Sequence, residues 1–241
     1  MSDEQTVLAV DVGGSHVKAL VPGEDEPRRF KSGRRLTPDV MAEGVRKVAD
    51  DWGWNRVSVG IPAPVRGGRV IAEPVNLGAG WVAFDYEGAF GAPTKVVNDA
   101  VMQAIGSYDG GRMLFLGLGT GLGSALIVDG VVEPLELAHL PYRKKTFEDY
   151  VSARALEQRG KKKWQQAVFK VVERLAGAIE PDYVVIGGGG VDDLDELPPN
   201  TRRGDNELAF VGGFRLWDEE WLPRAEVGER LGGSDRHQPL T

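Results

Sequence analysis

Cysteine is absent from this chain of 241 residues, so no disulfide and no thiolate metal site can form. Histidine is scarce as well, with only the dispersed His16, His139 and His237. The first six residues are polar and lack the basic flank, apolar stretch and small-residue cleavage site of a secretory leader, which points to the cytoplasm. No apolar run approaches the roughly 20 residues of a membrane helix, and glycines break the longest uncharged stretches, so no membrane partner is expected. An excess of positive charge is missing too. The formal charge of -7 argues against a nucleic-acid partner, because such binding uses lysine and arginine to displace counterions from phosphates. One segment inverts this balance: residues 143–170 carry nine basic and three acidic side chains, a local sum of +6 against -13 for the remainder. A solvated helix face and an anion track both account for such a run.

The hydrophobic content of 41% is enough for one large core or two modest ones, and two lobes are expected, over residues 1–105 and 106–241 with a loose tail after about 222. Strand signals cover 7–10 and 16–21 around the turn Gly13-Gly14, giving a hairpin with a polar tip. Thr37-Pro38 reads as a helix start, with an apolar face at Val40, Met41, Val45 and Val48. Strands are expected over 56–60, 69–72 and 95–97, the last handing over at Asn98-Asp99 to a helix from about Ala100. A second hairpin, 113–118 and 123–128 around Gly119-Thr120-Gly121, repeats the outline of the first. Helices over 147–159 and 162–179 and a strand over 183–186 ending in four glycines complete the series.

In Asp11-Val12-Gly13-Gly14-Ser15 the glycines allow backbone N–H groups to approach an anion, Ser15 adds a hydroxyl, and Asp11 at a strand end suits a magnesium ion. A plain tight turn explains the two glycines equally well. The run 117–123 has four alternating glycines, which weaken a strand pair unless something must come near the backbone, and phosphate is the natural visitor. It is no P-loop, lacking Gly-Lys-Ser/Thr, and no dinucleotide fingerprint, since a strand follows. Asn98-Asp99 reads either as a helix cap or as a carboxylate set beside a cleft.

In order along the chain, Asp11-Val-Gly-Gly-Ser, Gly60-Ile-Pro-Ala-Pro, Asn76-Leu77 with Trp81, Val97-Asn98-Asp99-Ala100, Gly119-Thr120-Gly121-Leu122-Gly123 and Glu136-Leu-Ala-His139 resemble the ROK family of sugar kinases, over residues 7–217. The resemblance implies an α/β chain of the actin-like ATPase (ribonuclease H-like) fold, two lobes around a central cleft. It implies Asp99 as the base for the sugar 6-hydroxyl, and Asn76, Asn98, Glu136, His139 and Glu148 as hexose partners, amide, carboxylate and imidazole groups suiting a polyol. It implies phosphate binding by Asp11, Gly13, Gly14, Ser15, Lys18, Gly119, Thr120, Gly121 and Gly123, with Mg2+ at Asp11. Gly187, Gly188 and Gly189 would form the loop beneath a nucleotide, although a strand-to-helix turn explains them equally.

Two departures are visible. Ala138 stands where the family has glycine before the histidine, which the loop tolerates if that residue is not left-handed. The cysteine cluster that binds zinc in many members has no counterpart, so no zinc is expected. The zinc-free branch it resembles is the polyphosphate glucokinases, through residues 147–154, Lys163-Trp164, Pro181-Asp182 and 186–189. A polyanionic donor needs a charged approach, and Lys144, Lys145, Lys161, Lys162 and Lys163 would supply the donor track. The expectation is a homodimeric cytoplasmic glucokinase using polyphosphate, ATP or both. Its rivals are a strictly ATP-dependent hexose kinase and a sugar-sensing regulator. The regulator is disfavoured by a first strand that begins near Thr6, without room for a helix-turn-helix before it, and by the presence of both Asp11 and Asp99.

Overall fold

The computed structural model describes residues 6–218; the tail expected after 222 and His237 lie outside the described residues. Two five-stranded sheets share one topology. The first contains β1 (Val7–Val12), β2 (His16–Leu20), β3 (Arg28–Lys31), β4 (Arg56–Ile61) and, after a two-residue pair of strands β5 (Val65–Arg66) and β6 (Arg69–Val70), β7 (Thr94–Asn98), in the order β3-β2-β1-β4-β7. The second contains β8 (Arg112–Leu118), β9 (Leu122–Val128), β10 (Val131–Leu135) and, after the small hairpin β11 (Pro141–Tyr142) and β12 (Lys145–Thr146), β13 (Tyr183–Gly187) and β14 (Thr201–Arg203), in the order β10-β9-β8-β13-β14. Each sheet begins with antiparallel hairpins and ends with parallel crossovers.

Helix α1 (Pro38–Val48) crosses between β3 and β4. Thr37 caps it, accepting from the Val40 N–H, and Met41, Ala42 and Val45 enter the first core. Val40, expected on that face, is 52% exposed, because the apolar stripe turns through Met41 and Val45 instead. Helix α2 (Tyr86–Phe90) follows, and α3 (Asp99–Ser107) starts where β7 stops. In the second half the helix expected over 147–159 is two pieces, α4 (Glu148–Val151) and α5 (Ala153–Arg159). The break falls at Ser152, whose extended backbone and hydroxyl, accepting from the Ala155 N–H at 3.4 Å, make it the cap of the second piece. The long α6 (Lys161–Ile179) buries Trp164, Val168, Val171 and Leu175 against the second sheet.

Helix α7 (Leu208–Arg215) closes the described chain and crosses α3. From Ala100 to Gly106, α3 is buried all round, as a helix between two layers must be. The crossing requires glycine on both sides. A Cβ on Gly106 would strike the Leu208 carbonyl and come within 2.9 Å of the Gly212 nitrogen, and one on Gly212 would strike the Met102 carbonyl. Beyond the crossing α7 leans on β1 and β4 of the first sheet: Ser58 donates to the Gly213 carbonyl at 2.6 Å and accepts from the Trp217 indole at 2.9 Å.

Candidate active site

Register brings the first group of residues together. Asp11 on β1 is the partner of Gly60 on β4, and Gly60 is the partner of Val97 on β7, so Asp11, the Gly60 turn and Asn98-Asp99 share one end of the parallel strands. Crevices at such carboxyl ends are where open α/β sheets bind ligands. Gly60 is there because a Cβ would lie 3.4 Å from the Asp99 Cα and 2.6 Å from the Met102 methyl. Asn98 is a true cap: its Oδ1 accepts from the N–H groups of Ala100 at 3.0 Å and Val101 at 3.3 Å, and its Nδ2 donates to the Ala63 carbonyl at 3.2 Å. One amide hydrogen is left over for a ligand.

Asp99 is the first residue of α3, and its Oδ1 accepts from the Ala100 N–H at 2.8 Å. Burial, and then the charge of Asp11, push this carboxyl up to about 7, with a smaller push from Glu136; the Ala100 N–H works in the opposite direction. Asp11 is also raised by burial, and Lys18, its partner across the hairpin, draws it back. The two halves of the molecule meet at their glycine turns. A Cβ on Gly14 would stand 3.7 Å from the Thr120 hydroxyl, so the tips bearing Gly13-Gly14-Ser15 and Gly119-Thr120-Gly121 face each other. Gly123 lies against Ala100 of α3, where a Cβ would come within 2.6 Å of the alanine methyl.

The second sheet supplies the remaining acidic groups. Ser124 on β9 donates to the Leu135 carbonyl at 2.8 Å and accepts from the Leu137 N–H at 3.2 Å, which fixes the strand end carrying Glu136. Residues Leu137–His139 form one 3-10 turn. Ala138 does not have a positive φ, so the departure from glycine costs the loop nothing. Glu136 is exposed as a residue, yet burial of its carboxyl raises its affinity for a proton, His139 lowers it and Glu148 raises it again. Glu148, at the start of α4, accepts from the Leu122 N–H at 3.3 Å and occupies the space a side chain on Gly121 would need. Asp99, Asp11, Glu136, His139 and Glu148 therefore form one electrostatically linked group. Asn76 is half-buried in the 74–79 loop.

Beside the second glycine turn lies a cavity of about 270 Å³, lined by Gly119, Thr120, Val151, Leu156, Trp164 and the loop glycines Gly189 and Gly190. Gly187 and Gly188 serve packing instead: a Cβ on the first would meet the Phe115 ring at 2.8 Å, and the second, with φ of 77°, rests on the Leu118 carbonyl. The expected donor lysines divide. Lys161 is paired with Asp195 at 2.5 Å, Lys144 and Lys145 are exposed on the β11–β12 hairpin, and Lys162 and Lys163 line a separate groove.

Magnesium fits the donor set here. Asp11 offers oxygen ligands of the hard kind; burial raises it and Lys18 draws it back, and its charge in turn raises Asp99, so a divalent cation at Asp11 would relieve negative charge beside the base. Among the described residues no group of three or more carboxylate or imidazole side chains could hold a metal ion.

Sequence reasoning missed Glu73. Its carboxylate accepts from the N–H groups of Gly80 at 3.1 Å, Trp81 at 3.1 Å and Val82 at 3.4 Å, clamping the loop that carries Asn76. No local pattern announces a carboxylate that binds backbone seven to nine residues away. The cation groove is half visible in the sequence: the basic run shows there, but which of its members converge does not.

No family model matches the chain. Over 214 residues, 80% of each chain, it is 27% identical to the polyphosphate glucokinase of Mycobacterium tuberculosis. The inorganic polyphosphate/ATP-glucomannokinase from Arthrobacter sp. strain KM superposes with a TM-score of 0.75 at 26% identity, covering 87% of this chain and 96% of that one. A ROK family glucokinase from Streptomyces griseus, solved with glucose and AMPPNP, gives a TM-score of 0.67 at 17% identity over 86% of this chain and 97% of that one. The fold is that of the actin-like ATPases, and the resemblance to ROK sugar kinases near the polyphosphate glucokinases holds in both sequence and structure.

Proposed function

We propose that this chain is a glucokinase that transfers a phosphoryl group from inorganic polyphosphate or ATP to the 6-hydroxyl of glucose. The observation that carries this is Asp99, a buried carboxyl raised to about 7 at the strand-to-helix junction where the glycine turns of both sheets meet. Such a group is half ionised at neutral pH, the condition under which a general base works best. Asp99 accepts the hydroxyl proton as the sugar oxygen attacks the terminal phosphorus. The new O–P bond forms while the bond from that phosphorus to the bridging oxygen breaks, and the shortened donor leaves.

Asn98 with its spare amide hydrogen, Glu136, His139 and Glu148 orient the sugar, and Asn76 joins them from the 74–79 loop. The N–H groups of the two glycine turns, with Ser15, Thr120 and Lys18, receive the donor phosphates. Asp11 would hold magnesium, which would offset negative charge on the donor phosphates. The cavity beside Gly119 is lined largely by apolar groups and suits a nucleoside, which favours ATP as one of the donors. The relatives named for polyphosphate support the other. A cytoplasmic location and a homodimer belong to the reading through the resemblance. No described helix is long and apolar enough to cross a membrane.

The test is formation of hexose 6-phosphate from glucose and magnesium with ATP or long-chain polyphosphate. Turnover with at least one donor is expected, and no product with either across the common hexoses refutes the proposal.

A further inference from the structure

On the outer side of α4 and α6 lies a second cavity of about 660 Å³ whose lining includes Arg143, Arg159, Lys162, Lys163 and Lys170 against the single carboxylate of Glu196. A solvated lysine face spreads its charges over a convex surface, whereas these five cations converge on a hollow of ligand size. The arginines are also held. Arg159 stacks on the Tyr150 ring at 4.0 Å, and Arg143 lies 5.2 Å from the Tyr142 ring and 5.6 Å from that of Tyr150. Stacking fixes the plane of a guanidinium and leaves the remaining donors of its edge for an oxyanion; in Arg159 one Nη2 hydrogen already goes to the Asp149 carbonyl at 3.4 Å. The Arg159 Nε is buried without a hydrogen-bond partner among the described residues. Neither Arg143, Lys162 nor Lys163 makes an ion pair among them, while Lys170 is shared with Glu173 at 2.6 Å.

The groove and the cavity at the glycine turn back onto one wall. Val151, Leu156 and Trp164 face the glycine turn, whereas the neighbouring Tyr150, Arg159 and Lys163 face the groove. The wall is sealed by the Trp164 indole, which donates to the Val151 carbonyl at 2.9 Å. An anion in the groove is therefore not the reacting phosphoryl group.

We propose that this groove is a second site for a phosphate-rich anion, separate from the phosphate clamp. Two sources share that chemistry: the far part of a long polyphosphate donor, which rests on the kinase reading, and a free phosphorylated compound such as a sugar phosphate, which does not. The test is calorimetric titration of the full chain and its Arg143→Gln/Lys170→Gln variant with long-chain polyphosphate, tripolyphosphate and glucose 6-phosphate at two salt concentrations. Both side chains are exposed, so the variant is expected to melt with the wild type; Lys163→Gln is the second variant.

We expect affinity for at least one probe to fall about tenfold, and its logarithmic dependence on salt to become shallower by about two for the double variant. Loss confined to the long chain identifies the donor as the source, and loss for glucose 6-phosphate identifies the free compound. Unchanged binding of all three probes in both variants overturns the proposal. Wild-type turnover with ATP, measured alongside, separates the two readings: turnover with unaltered binding removes the groove alone, and altered binding without turnover removes the kinase alone.

Discussion

Replacing Asp99 with asparagine should disable the protein and stabilise it in the same stroke. The carboxyl moves from its ordinary 3.8 to about 7 on folding. At about 1.4 kcal/mol for each tenfold change in proton affinity, holding it ionised in the folded chain costs up to about 4 kcal/mol. Asp99 retains some solvent contact, so about 2 kcal/mol is the expected figure. The sign follows from the raised value. Between pH of about 4 and 7 the folded state binds the proton that the unfolded state releases, so wild-type stability falls as pH rises through that window and the full cost is present above 7.

Asparagine is neutral, has the same shape and keeps the oxygen that accepts from the Ala100 N–H at 2.8 Å. Urea unfolding of the ligand-free proteins should therefore show Asp99→Asn more stable by about 2 kcal/mol at pH 8, with the gap closing toward pH 4. Glucose binding should persist while turnover drops by about 10² to 10⁴, the range of general-base catalysis. A stability difference that ignores pH would refute the electrostatic account, and comparable turnover would reduce Asp99 to a helix-starting residue.

With wild-type enzyme, kcat/KM should rise about tenfold per pH unit below about 7 and level off above it, because only ionised Asp99 accepts the proton; a flat profile from pH 5 to 8 would contradict this. Glu73→Gln should raise KM for glucose several-fold more than it lowers kcat, since the amide loses one of the oxygens that hold the N–H groups of Gly80, Trp81 and Val82; equal effects on the two constants would count against the clamp. Gly212→Ala should destabilise the fold by about 1 to 3 kcal/mol in urea, because its methyl strikes the Met102 carbonyl, and an unchanged midpoint would mean the helices slide apart freely.

Much of the fold was legible because its signals are local. Glycine turns punctuate β1–β2 and β8–β9, and Thr37-Pro38 and Asn98 announce two helix starts. What stayed hidden depends on contacts distant in sequence. Helix α7 carries glycines that look like breakers until they are seen against α3, and the Ser152 break looks like continuous helix because its neighbours are good helix formers. The site divides in the same way. Asp11 and Asp99 stand at strand ends that the pattern predicts, but their proximity comes from the β1–β4–β7 register. The basic run showed its sign and not its geometry: Lys161 turns to Asp195 while Arg143 and Arg159 stack on tyrosines.

The partnership of Ser58 with Gly213 and Trp217 has a consequence for how the chain matures on the ribosome. The strands of the first sheet are synthesised early, but one face of β1 and β4 is covered by a helix that follows β4 by about 150 residues and β1 by about 200, a separation that slows pairing. The nascent first half must therefore wait with apolar strand surface uncovered. Completion of the first layer therefore depends on the last described helix.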